Sequence, residues 1–154
     1  MLRTSQVFWQ NKRPSRSEFA QMQELFSEFD IPAFTAGTCP EDFIFVAKHR
    51  FKRGSGSVLG GIVFRIENFC AEIVAIGVRQ TDHRKRIGTS LVKAMEKVLI
   101  ERSIRRIEAR VPNDSRRGFY RFLGFKEYDM DRMDRWIPKS RVFLTKAWRK
   151  FRRN

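Results

Sequence analysis

The stretch from Val78 to Gly88, VRQTDHRKRIG, has the composition of an anion-binding turn. It follows a run of strand formers, FCAEIVAIGV (69–78), and leads into a segment from Ile87 to Arg102. In that segment Leu91, Ala94, Met95, Val98 and Leu99 recur at helical spacing. A strand end, a polar loop, a glycine and a helix start place unpaired N–H groups and the positive end of a helix dipole at one point. Arg84, Lys85 and Arg86 add charge suited to a pyrophosphate. Taken alone, the same pattern also describes a solvated turn between a strand and a helix in a basic protein. Metal and disulfide chemistry have no comparable signal. Cys39, Cys70, His49 and His83 show no ligand spacing, and two cysteines are too few for a disulfide framework.

The elements that would position this turn can be read along the chain. TSQVFW (4–9) alternates as a first strand. A helix follows over SEFAQMQELFSEF, with Phe19, Met22, Leu25, Phe26 and Phe29 on one side and Ser15 or Ser17 as N-cap. Pro32 ends that region, and three strands are expected at 42–49, 57–66 and 69–78, joined by turns at KRGSGS (52–57) and Glu67-Asn68. After the helix from Ile87, RRIEARV (105–111) must cross back as a strand parallel to its neighbour. A second helix over 114–123 is opened by Asn113 and closed by Gly124. FKEYDMDRM (125–133) and RVFLTKAW (141–148) are read as two closing strands around the Pro138 turn. The expected fold class is mixed α/β, one domain over 1–154 with a mostly antiparallel sheet of about seven strands flanked by helices.

Asn113, Tyr120 and Leu123-Gly124-Phe125 form the pattern N-x6-Y-x2-L-G-F directly after the 105–111 strand. With this motif and the 78–88 turn, the sequence resembles the GNAT superfamily of acetyl-CoA-dependent N-acetyltransferases, clearly over residues 57–127 and by element order elsewhere. The family's loop, Q/R-x-x-G-x-G/A, falls on His83, Arg84, Lys85, Arg86, Ile87 and Gly88, with Thr89 next on the helix. His83 replaces the usual Gln or Arg. Arg86 replaces the first Gly, and requires a backbone conformation that residues with a Cβ disfavour.

The resemblance implies acetyl-CoA as donor, no metal, and direct attack by an amine in a ternary complex. The strands at 69–78 and 105–111 are expected to splay, with the Ile76 and Val78 main chains lining the pantetheine arm and the Val78 amide stabilising the oxyanion. Asn113 would cap its helix and also bond the pantetheine. Glu72 aligns with the strand glutamate that acts as general base in the family's histone acetyltransferases. Its neighbours Ile73, Val74 and Ile76 are expected to desolvate it and raise its pKa. Tyr120 would protonate the leaving thiolate. For Glu72 the alternative is a solvent-facing strand position, and for Tyr120 a core aromatic. Cys39 and Cys70 match no nucleophile and read as small buried hydrophobes.

Composition sets the outer limits. The 154 residues carry 32 Lys plus Arg against 17 Asp plus Glu, a formal net charge of +15. A hydrophobic content of 42% with 15 Phe excludes intrinsic disorder. No run of 18 apolar residues offers a membrane span and no secretory h-region is visible, so a soluble cytoplasmic protein without membrane contact is expected. CoA accounts for the charge at 84–86 only. The basic C-terminal end 139–154, the 48–53 hairpin and the arginines at 102–121 form either a solvated surface or a phosphate-tracking face for RNA or the ribosome. Glu127, Asp129, Asp131 and Asp134 could attract a cationic amine or simply balance neighbouring arginines. The expected acceptor is a protein N-terminus, a lysine or a small polyamine. The alternatives are an amine carried on RNA, as in aminoacyl-tRNA, and a non-catalytic relative that binds CoA or RNA. A homodimer is among the assemblies the sequence allows.

Overall fold

A computed structural model describes residues 7–8, 14–28, 42–48, 58–79, 86–111, 114–142 and 150. In chain order the elements are β1 (Val7–Phe8), α1 (Arg16–Glu28), β2 (Phe43–Lys48), β3 (Val58–Glu67), β4 (Cys70–Val78), α2 (Ile87–Glu101), β5 (Arg106–Arg110), α3 (Asp114–Phe122), β6 (Lys126–Asp129) and β7 (Arg132–Trp136). The strands form one sheet in the order β1-β2-β3-β4-β5-β7-β6. The mixed α/β class and the flanking helices are those expected. The described residues fall into two compact units, one within 1–65 and 73–95, the other within 66–72 and 96–154. The crossings lie inside β3, β4 and α2 rather than in linkers.

In the first unit, α1 begins where Ser15 accepts a hydrogen bond from the Glu18 amide at 3.2 Å, an N-cap that satisfies one of the helix's orphan donors. Its apolar side sets Met22 and Phe26 against Val46, Val58, Val63 and Ala75, with Phe19, Ile44 and Val74 at the margin. Two polar contacts fix the helix over the sheet. The Val58 amide donates to Gln21 Oε1 at 2.9 Å, and Lys48 Nζ meets the buried Glu18 carboxylate at 2.5 Å. β2 runs antiparallel to both β1 and β3.

The turn between β3 and β4 is Asn68-Phe69, with φ of 48° and 61°. Two left-handed residues make a turn whose twist matches that of the strands it joins. The consequence is that Phe69 stands 89% exposed.

In the second unit, β5 pairs antiparallel with β7, and β7 with β6. Ile107, Ala109 and Met133 point to the buried side, while Arg106, Glu108, Arg132 and Asp134 alternate on the other. α3 ends at Gly124, whose φ of 90° suits a residue without a Cβ, and the Gly124 amide donates to the Arg121 carbonyl at 2.9 Å.

The C-terminal end departs from expectation. The closing pair is Lys126–Asp129 and Arg132–Trp136, two strands within and beyond the single one expected at 125–133, while Arg141 and Val142 of the strand expected at 141–148 are helical. Asp129 Oδ1 accepts from the Met130 amide at 2.7 Å, so the acidic stretch read as strand is a tight turn. Residues 139–142 are helical after Pro138, whose carbonyl accepts from the Arg141 amide at 3.1 Å. Residues 143–149 lie outside the described residues, as do the KRGSGS turn and most of the 4–9 strand. Among the described residues no helix is long and apolar enough to cross a membrane.

One buried acid organises this end of the second unit. Glu96 on α2 is 2% exposed and meets Arg135 of β7 and Arg141 of the helical turn, each at 2.6 Å. Removing the acid strands two guanidinium groups, one of them largely buried. Glu96→Gln should cost about 2–3 kcal/mol in chemical denaturation, with Arg141→Gln costing less because Arg141 is the more exposed partner.

Candidate active site

The end of β4 and the start of α2 are brought together by a residue without a side chain. A Cβ on Gly60 of β3 would lie 2.8 Å from the Gly77 carbonyl oxygen, 3.3 Å from the Val78 Cα and 3.3 Å from Ile87 Cγ2. Only glycine lets β3 approach the last residues of β4 and the first of α2 this closely. The ladder continues past β4, with the Arg79 amide donating to the Leu59 carbonyl at 2.8 Å. Ile76 and Val78, expected to line a ligand arm through their main chains, lie buried here, as do Ile87 and Gly88; Thr89 is half-buried.

Arg86 stands immediately before α2 with a φ of 57°. This is the left-handed conformation that the family's glycine would adopt without strain. Here an exposed arginine holds it, and its carbonyl accepts from the Ser90 amide at 3.0 Å, closing the first helical turn. The turn therefore keeps the backbone form expected of it despite the changed residue. The residues present suit a phosphate group: the α2 start offers its first-turn N–H groups, and Arg86 adds a cation beside them. His83, Arg84 and Lys85 lie outside the described residues, and so does Asn113.

The second unit carries the candidate proton-transfer groups. Tyr120 of α3 is 5% exposed and packs edge-on against Phe119 and Phe125, with ring centroids 5.7 and 5.3 Å away. Burial pushes its phenol up to about 12, an effect that the neighbouring Arg116 guanidinium partly offsets by charge and by a hydrogen bond. Tyr120 is thus both a core aromatic and a phenol that keeps its proton.

Glu72 is exposed on β4, so the desolvation expected of it is not found: its side chain points to the opposite side of the strand from Ala71 and Ile73. A second carboxylate is better shielded. Glu108 of β5 has a side chain 20% exposed, meets Arg106 at 2.8 Å and accepts a hydrogen bond from the Tyr128 hydroxyl at 3.2 Å. The alternation of RRIEARV places Glu108 on the polar side, a signal the sequence held but which has no motif attached to it.

Cys70 senses both acids. Burial first, then Glu108 and Glu72, push its thiol up to about 11 against the opposing Arg106. The thiol is therefore protonated near neutral pH, which fits a spectator rather than a nucleophile. Cys39 lies outside the described residues.

Three of the four acids at 127–134 have basic partners within the fold. Glu127 meets Arg121, Asp131 meets Arg110 at 3.0 Å, and Asp134 meets Arg106 at 3.4 Å.

The strain at Arg86 can be measured. A left-handed residue with a Cβ costs about 1–2 kcal/mol, less the freedom glycine gains when unfolded. Arg86→Gly should raise stability by about 0.5–1 kcal/mol in chemical denaturation, and the β-branched Arg86→Val should lower it.

Comparison with known proteins agrees with this geometry. A search for sequence relatives among curated proteins finds no match. Solved structures do match in fold. An aminoglycoside 6'-N-acetyltransferase complexed with coenzyme A superposes with a TM-score of 0.65 at 15% identity, over 88% of this chain and 98% of that one. The ribosomal-protein-S18-alanine N-acetyltransferase from Escherichia coli gives 0.60 at 14% identity, over 85% and 89%. The PaiA N-acetyltransferase from Thermoplasma acidophilum, in complex with coenzyme A, gives 0.53 at 20% identity, over 63% of this chain and 62% of that one. The sequence model of the acetyltransferase (GNAT) family matches residues 6–125, and the chain belongs to that family.

Proposed function

We propose that the protein transfers the acetyl group of acetyl-CoA to a primary amine by direct attack, with Tyr120 as the general acid. The observation that carries this reading is the state of Tyr120. It is a buried phenol, held protonated, at the tyrosine of the N-x6-Y motif. Acetyl-CoA supplies an activated thioester. Neutral amine nitrogen bonds to the carbonyl carbon, the carbon–sulfur bond breaks, Tyr120 Oη hands its proton to the departing sulfur, and the surplus proton on the nitrogen passes to water to leave a neutral amide. The amine must first lose a proton to expose its lone pair, and Glu72 is the proposed base. Because Glu72 is exposed, it can take that proton directly or through water. Ile76 and Val78 are proposed to line the pantetheine arm. The α2 start with Arg86, together with His83, Arg84, Lys85, Ile87, Gly88 and Thr89, is proposed to hold the pyrophosphate, and Asn113 to bond the arm.

The acceptor class rests on the relatives. One acts on an aminoglycoside and another on a ribosomal-protein alanine, both through an amine. For this chain the proposed acceptor is a peptide N-terminus, a lysine or a small polyamine. An acceptor screen with labelled acetyl-CoA, with aminoacyl-tRNA as a further arm, tests this. Label transferred to none of these amines would overturn the reading.

Tyr120→Phe should lower kcat about a hundredfold while leaving KM for acetyl-CoA within about twofold. Tyr120 must be protonated to act, so activity that depends on it is lost only as pH rises through about 12. The rate profile of the parent protein should therefore show no descending limb from this group below about pH 10. Glu72→Gln should remove the ascending acidic limb; a limb that persists in Glu72→Gln but disappears in Glu108→Gln would transfer the base role to Glu108. Cys70→Ala should keep at least about half of the parent kcat, since a thiol this basic contributes little nucleophile near neutrality.

A further inference from the structure

Arg116 precedes Tyr120 by four residues on α3, so the two side chains share a helix face. The guanidinium is half-buried and stands 5.9 Å over the Phe119 ring, which is itself edge-on to Tyr120 at 5.7 Å, and its charge and hydrogen-bonding capacity pull the Tyr120 phenol down against the larger upward push of burial. The next two arginines of the helix are engaged elsewhere. Arg117 meets Asp114 at 3.3 Å and donates to the Met130 carbonyl at 2.6 Å, while Arg121 meets Glu127. The other side chains in ring contact with Tyr120, Phe119 and Phe125, are apolar.

A guanidinium carries donors only. Wherever it bonds a phenol, the phenol oxygen must accept, and the phenol's own proton is left to point at another acceptor. The same cation acts when that proton leaves, because the phenolate formed would otherwise be an unpaired charge among aromatic rings. A thiolate is a weaker base than a phenolate, so proton transfer from tyrosine to sulfur runs uphill. Burial of the phenol steepens that slope and a bonded cation lowers it.

We propose that Arg116 is a positioning residue for proton delivery by Tyr120: it directs the hydroxyl proton away from α3's own surface and stabilises the phenolate left behind. The proposal rests on Tyr120 being the general acid. In the balanced step, the proton passes from Tyr120 Oη to the departing sulfur, the negative charge moves to Tyr120 beside Arg116, the attacking nitrogen releases its surplus proton to solvent, and solvent returns one proton to Tyr120 after product leaves.

The test pairs kinetics with a readout that needs no turnover. Arg116→Gln should lower kcat about tenfold with KM for acetyl-CoA within about twofold, and Arg116→Lys, which keeps the charge, should recover part of the loss. In a Tyr120→Phe background, Arg116→Gln should lower kcat no further. Biosynthetic fluorotyrosine, whose phenol titrates lower than tyrosine, gives two fluorine resonances because the chain has 2 Tyr. The resonance of Tyr120 should titrate at higher pH in Arg116→Gln than in the parent, while that of exposed Tyr128 stays fixed. An unmoved Tyr120 midpoint, or an equal loss of kcat in the Tyr120→Phe background, overturns the role of Arg116. Unchanged kcat in Tyr120→Phe alone overturns the acid assignment instead.

Discussion

The first unit depends on a side chain that is missing. At Gly60 the backbone of β3 comes so close to Gly77, Val78 and Ile87 that a single methyl group would meet a carbonyl oxygen at 2.8 Å. That approach sets where β4 ends and where α2 can begin, and the turn joining them is the part of the chain with the composition of an anion site. The rest of the unit is arranged to hold this geometry: α1 is pinned to the sheet by the Gln21 and Glu18 contacts and by Met22 and Phe26, fully buried beneath it. The pyrophosphate binding proposed for this turn would therefore rest on backbone placement first and on side-chain charge second.

Most of the framework was legible because it is written in periodicity. The alternation in FIFVAK, the apolar runs of β3 and β4 and the helical spacing from Leu91 to Leu99 each have one reading at their length. Caps were legible too, since Ser15 and Gly124 do what their chemistry allows and few other residues would. The C-terminal hairpin was not. In KEYDMDRMDRW, polar and apolar residues alternate across a two-residue turn, so the pattern passes through Met130 and Asp131 without a break. Only the hydrogen bond from the Met130 amide to Asp129 shows where the chain reverses. Residues 139–142 then turn helical after Pro138, and Arg141 reaches the Glu96 carboxylate, a long-range contact that no local pattern encodes.

The candidate site divides in the same way. Motif positions such as Tyr120 and Gly88 could be placed from spacing. The environment of each could not. Glu72 has apolar neighbours in sequence, yet strand alternation turns it to solvent, while Glu108, with no motif to mark it, is the better shielded carboxylate. Arg116 looks in the sequence like one more arginine in a basic helix. Its difference from Arg117 and Arg121 lies in what each one faces, and that depends on the packing of Tyr120 between Phe119 and Phe125.

The pairing of the acids has a consequence for handling the protein. Glu18, Asp42, Glu96, Glu108, Glu127, Asp131 and Asp134 are each matched to a lysine or arginine within the fold. Each of these pairs cancels one positive charge for one negative, so the net charge of +15 over the whole sequence is undiminished. Toward its surroundings the molecule is a polycation, and the nearest polyanions in a lysate are nucleic acids. Material prepared at low ionic strength will carry them along on charge alone, whatever its acceptor is. Loss of that cargo in high salt is the behaviour of the surface, to be kept apart from the behaviour of the site.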